Sequence, residues 1–162
     1  MYRMHRVFCA TSWDLEGERR AFHDVLGAFN ESAAMSRGVL YVPVSLGTMR
    51  DKRPYQYTVD ENIRACRHYI LAVSDVWGPP ERNFEGDYHL ALACRADPSL
   101  PMGECAVLVN TPSAGHSPAR DAPPASAGFR TLDEFTGHVH RLLSEWIETD
   151  AHTSETSETA GS

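Results

Sequence analysis

A three-layer α/β fold, with a parallel sheet of four to five strands covered by helices on both faces, follows from three features of this 162-residue sequence. Short apolar runs alternate with segments of helical periodicity, the pattern of parallel strands joined by crossover helices. One run, Tyr69-Ile70-Leu71-Ala72-Val73, is apolar without a break, as suits a strand buried on both faces. Three helix starts carry the [ST]-x-x-[DE] pattern of a capping box: Thr11-Ser12-Trp13-Asp14, Thr58-Val59-Asp60-Glu61 and Thr131-Leu132-Asp133-Glu134.

The elements then read off in order. Residues 6–10 form the first strand, and residues 15–29 a helix with Leu15, Phe22, Val25, Leu26 and Phe29 at helical spacing. Val39–Val44 is the second strand; its Pro43 implies that it ends early or lies where no ladder N–H is needed. Residues 46–57 read as a polar loop, 58–68 as a helix, 69–73 as the buried strand and 74–84 as a loop. A helix over 87–96 and a strand over 105–109 follow. Residues 111–128, rich in Pro, Ala, Ser and Gly, read as an exposed irregular connection. An amphipathic helix over 132–148 closes the domain, presenting Leu132, Phe135, Val139, Leu142, Leu143, Trp146 and Ile147. The domain is thus expected over 1–149. Residues 150–162 lack apolar side chains to bury and are expected to be a disordered acidic tail.

Composition narrows the function classes. With 42% apolar residues and no run near the roughly 20 needed to span a bilayer, a soluble domain is expected, with no membrane partner. The basic start, Met1 to Arg6, is not followed by a signal-peptide core, so the expected compartment is the cytoplasm. The net charge of -7 and the lack of a basic stripe argue against nucleic acid. Cys9, Cys66, Cys94 and Cys105 show no C-x-x-C pair or metal-finger spacing and read as reduced structural thiols. His138 and His140, two apart, point to different sides of a helix, no H-E-x-x-H occurs, and no metal is expected. G-x-S-x-G, G-x-G-x-x-G and the Walker A pattern are all missing.

Ligands of open α/β sheets bind beyond the carboxyl ends of the strands, where the chain order switches direction. That rule gathers Thr11, Ser12, Trp13 and Asp14 after the first strand with Ser74, Trp77 and Gly78 after the third. The next helix start adds Glu85, Asp87 and Tyr88. Tryptophans for stacking, hydroxyls for sugar or phosphate, and several acids suit a ribonucleotide-like ligand. Each group also has a structural use: Asp14 and Asp87 favour helix N-termini, and Trp13 and Trp77 can plug the core. Glu85, between Phe84 and Gly86, is the carboxylate with least structural excuse.

The opening Val7-Phe8-Cys9-Ala10-Thr11-Ser12-Trp13-Asp14-Leu15-Glu16-Gly17-Glu18-Arg19 resembles the V-F-[VI]-S-S-T-F-x-D-L-x-x-E-R start of a TIR-like domain. That domain stands at the N-termini of bacterial NACHT and other STAND signalling ATPases. The stretch from Val59 to Val73, followed by Trp77-Gly78, resembles the same family's I-x-x-C-D-Y-Y-[VI]-x-[IL]-V…[WY]-G strand. Phe84-Glu85-Gly86-Asp87-Tyr88-His89-Leu90-Ala91 is similar to its S-x-T-E-x-E-Y-x-x-A helix start, and residues 129–143 to its closing helix. The resemblance spans about residues 6–148. The opening is one residue shorter before Asp14, Ala10 replaces a serine, and Asp87 stands where glutamate is usual.

The resemblance implies a flavodoxin- or TIR-like sheet. It also implies a signalling or defence role in which the domain binds a nucleotide, or assembles with a signalling partner or with itself. With no ATPase module following in this sequence, output is expected to need such a partner. Related TIR domains and nucleoside deoxyribosyltransferases use a glutamate at the matching helix start on N-glycosidic bonds. By that likeness Glu85 would be the catalytic carboxylate of an NAD or nucleoside N-glycosidase. Trp77 would flank the base, and Thr11, Ser12 and Asp14 would hold sugar or phosphate. The resemblance implies no definite cofactor; NAD or a related nucleotide would be substrate or ligand.

Overall fold

The computed structural model describes residues 1–45, 56–74, 77, 83–111 and 124–152. Five strands, β1 (Arg3–Thr11), β2 (Val39–Val44), β3 (His68–Ser74), β4 (Glu104–Asn110) and β5 (Ala127–Phe129), form one parallel sheet in the order β2-β1-β3-β4-β5. This is the flavodoxin-like order, with its reversal between β1 and β3. Four helices cover the sheet: α1 (Glu16–Phe29), α2 (Gln56–Ala65), α3 (Phe84–Ala96) and α4 (Leu132–His152).

Strand alternation builds two cores. Val7, Cys9, Ile70 and Ala72 meet Phe22, Leu26, Phe135 and Leu143 of α1 and α4. Phe8, Ala10, Tyr69, Leu71 and Val73 meet Val59, Ile63, Phe84 and Cys94 of α2 and α3 on the opposite face. The unbroken apolar run of β3 is therefore the central strand, buried from His68 through Val73. β2 lies at the edge of the described sheet and tolerates Pro43. Among the described residues no helix is long and apolar enough to cross a membrane.

Several boundaries differ from the sequence reading, each for a local reason. β1 begins at Arg3, three residues early, because the polar segment Arg3–Arg6 pairs with β2 at the sheet rim. α2 begins at Gln56, which places Thr58 inside the helix rather than at its cap. Its end at Ala65 leaves His68 to open β3. The Thr11 box does not form: Thr11 closes β1, a single 3₁₀ turn covers Trp13–Leu15, and no side chain caps either that turn or α1. At Thr131 the threonine cap forms, and the glutamate reaches back one residue beyond it. Glu134 N donates to Thr131 Oγ1 at 3.2 Å, and the Glu134 carboxylate accepts from Arg130 N at 2.7 Å. Residues 127–128 of the supposed irregular connection belong to β5 instead; residues 112–123 lie outside the described residues.

α4 runs to His152, and Asp150, counted with the tail by its charge, is 1% exposed. Residues 153–162 lie outside the described residues. The Asp150 carboxylate accepts from Tyr41 Oη at 2.8 Å, Arg67 Nε at 3.0 Å and His68 Nε2 at 2.7 Å. A carboxylate only accepts, so the imidazole hydrogen sits on Nε2 and leaves Nδ1 bare. His68 Nδ1 is buried with no hydrogen-bond partner among the described residues. The ring stacks on Trp146 with centroids 4.1 Å apart. Helix, β2 and β3 are joined through this one carboxylate.

The network fixes the sign of the pH response. Burial pushes the His68 pKa down against the pull of Asp150. Burial would raise the Asp150 pKa, but the hydrogen bonds from His68, Tyr41 and Arg67 hold it well below the carboxylate range. Both groups take up protons more readily in the unfolded chain, so both contributions to stability diminish as pH falls. The His68 contribution begins to fade below about pH 6.5 and that of Asp150 below about 3.9, the unfolded values. His68 is expected to titrate below the unfolded value. Ring chemical shifts test this, and a titration midpoint at or above the unfolded value would contradict it.

Candidate ligand site

β1 feeds α1 on one face and β3 feeds α3 on the other, so the chain parts to either side above the β1/β3 junction. Ser12 N donates to Ala72 O at 3.2 Å, which keeps the first strand tied to the third beyond the last regular rung. Two sequence-nominated side chains then meet across the junction: Ser74 Oγ donates to Asp14 Oδ2 at 2.8 Å. Partial burial would raise the Asp14 pKa. The hydroxyls of Ser12 and Ser74 and the backbone of Asp14 itself outweigh that and hold the carboxyl below its ordinary value. Asp14 is exposed and ionised at neutral pH, with lone pairs left to accept from a ligand hydroxyl.

Ser12 itself is 3% exposed, and its Oγ has no hydrogen-bond partner among the described residues. It nonetheless stands near enough to Asp14 to help Ser74 lower the carboxyl's pKa. Thr11, at the end of β1, and Ser74, at the end of β3, are half-buried. Trp77 packs against the second core with its ring centroid 5.9 Å from Tyr88 and 6.4 Å from His89. His89 had no role in the sequence reading, yet it completes an aromatic group of three rings. Gly78 and the Trp13 side chain lie outside the described residues.

α3 begins one turn earlier than its periodicity suggests. Asn83 is its cap, in the left-handed region at φ 44°, and its Oδ1 accepts from Gly86 N at 3.2 Å. A Cβ on Gly86 would collide with the Asn83 amide, so this cap needs glycine three residues on. The early start places Glu85 and Asp87 together in the first turn. Their environments are opposite: Asp87 is 1% exposed and engaged with a partner, whereas Glu85 is exposed.

No protein-family model matches this chain, and no curated protein matches it either. The site must speak through its own chemistry. Among the described residues no three His, Cys, Asp or Glu side chains are placed to hold a metal ion. Burial pushes the Cys66 thiol up to about 12 and Cys105 to about 11, and Cys9 higher still, which leaves no thiolate at neutral pH. What the edge offers is an ionised carboxylate and hydroxyls from two strands, a set that accepts from and donates to hydroxyls.

Proposed function

We propose that the carboxyl edge between β1 and β3 binds the sugar of a nucleotide-class ligand such as NAD or ADP-ribose. On this reading the protein is a TIR-like signalling or defence module that acts by binding that ligand or by assembling with partners. The observation that carries the reading is the Asp14–Ser74 bond across the strand switch, beside the buried hydroxyl of Ser12. A carboxylate there suits a ribose diol, as in other nucleotide sites at strand ends. The environment of Glu85 favours binding over glycosidic catalysis. A carboxylate that stabilises an oxocarbenium-like transition state acts in a water-excluded site, and Glu85 is exposed.

Calorimetric titration with ADP-ribose tests the reading. The wild type is expected to bind, and Asp14→Asn to weaken binding about tenfold, equivalent to about 1.4 kcal/mol. Because Asp14 is exposed, its thermal midpoint should hold, so lost binding would not report lost folding. Equal affinities in the two proteins would remove the role assigned to Asp14. Incubation with NAD separates the glycosidase alternative: nicotinamide released by wild type but not by Glu85→Gln would reverse the preference for binding.

A further inference from the structure

A hollow lies at the opposite rim of the sheet, away from the edge discussed above. β1 pairs with β2 from Arg3 onward, but β3 joins it only at Val7. The missing rungs leave a notch of about 250 Å³ beside the first half of β1. Met4, Val42, Ala65 and Pro101 give it apolar walls, and His5, Arg6 and Arg67 add basic groups.

Arg67 is seated before any ligand arrives. Its Nε donates to Asp150 at 3.0 Å and its Nη1 to Pro101 O at 3.0 Å. Gly103 passes so close that a Cβ there would sit 3.2 Å from the guanidinium carbon. Only two of the five guanidinium N–H donors are thereby used, and among the described residues no acceptor meets the others. Arg6 is exposed and forms no ion pair among the described residues. Arg6 and Arg67 together carry two positive charges, and Asp150 answers one. A single charge is left to be matched, in a protein whose net charge is -7.

We propose that this notch binds a small monoanionic carboxylate with an apolar body of a few carbons. The planar fork of Arg67 suits a carboxylate, Arg6 adds the second donor, and Met4, Val42 and Pro101 cover the hydrocarbon. The volume falls just under that of pockets for drug-sized ligands, which fits a short chain. The proposal stands independently of the nucleotide reading.

The test titrates the full chain with butyrate, following the Met4 methyl and Arg67 Nε resonances by NMR. Parallel arms use inorganic phosphate and, at matched ionic strength, chloride. Saturable shifts are expected with butyrate, and phosphate is expected to bind more weakly. Arg6→Gln should weaken butyrate about tenfold, the loss of one charge-assisted contact, at an unchanged thermal midpoint. Shifts that never saturate, phosphate affinity equal to that of butyrate, or unchanged butyrate affinity in Arg6→Gln would each overturn the proposal.

Discussion

Asp150→Ala is expected to lower the unfolding free energy by about 3–5 kcal/mol, the cost of breaking a buried ion pair by removing one partner. The carboxylate has no exposed side-chain surface, and it satisfies a phenol, a guanidinium and an imidazole at once. Alanine would leave Tyr41 Oη and His68 Nε2 buried without an acceptor. For a chain of this size the thermal midpoint should fall by about 6–20 °C. A control sits two residues earlier on the same helix. Glu148 pairs with Arg37 at 2.6 Å, but both are at the surface, so Glu148→Gln should hardly move the midpoint. Thermal unfolding of the two variants decides the matter. If they behave alike, the buried network does not secure α4.

Trp146→Ala should cost a similar amount, about 3–5 kcal/mol, the range for deleting a large buried aromatic. Trp146 belongs to the core beneath α1 and α4 and is 5% exposed. Its ring lies nearly parallel to that of His68, at 7°. The two losses should not be independent, since the indole screens the imidazole that binds Asp150. A double-mutant cycle of Trp146→Ala with His68→Ala, read by urea unfolding, is expected to give a coupling of about 0.5–3 kcal/mol. Strict additivity would mean that the stack contributes no more than the separate burial of its rings.

The parts of the fold legible in the sequence are those where one rule acts alone. β3 is covered on both faces, so its apolar run has one interpretation. α4 has an apolar stripe and a working cap, so its start was plain. β5 is only Ala127-Gly128-Phe129, too short to show any period. The first half of β1 is polar because it borders the notch rather than a core. Asp150 hid behind its own charge among Glu, Thr and Ser. Its phase was the available signal: Leu143, Trp146, Ile147 and Asp150 follow one another at helical spacing on the buried side of α4. Its partners come from β2 and from residues 67–68, over 80 positions away, and no local pattern links them.

At the candidate site, chain order and the strand-end rule were enough to bring Asp14 and Ser74 to the same edge. They could not foresee that the two would bond to each other. The Asn83 cap escaped notice because it depends on a left-handed residue three positions before a glycine, outside the usual serine or threonine signature. That one turn of extra helix decides where Glu85 and Asp87 stand.

The guanidinium of Arg3, at the start of β1, donates to the carbonyl of Ala151, near the end of α4, at 3.4 Å. The extremities of the described domain therefore meet at one pole, while the Asp14–Ser74 edge occupies the other. Circular permutants joined there by a short linker should retain the fold, with new termini opened in an exposed connection. Reporter proteins fused at either extremity of the described domain would likewise start far from the Asp14–Ser74 edge.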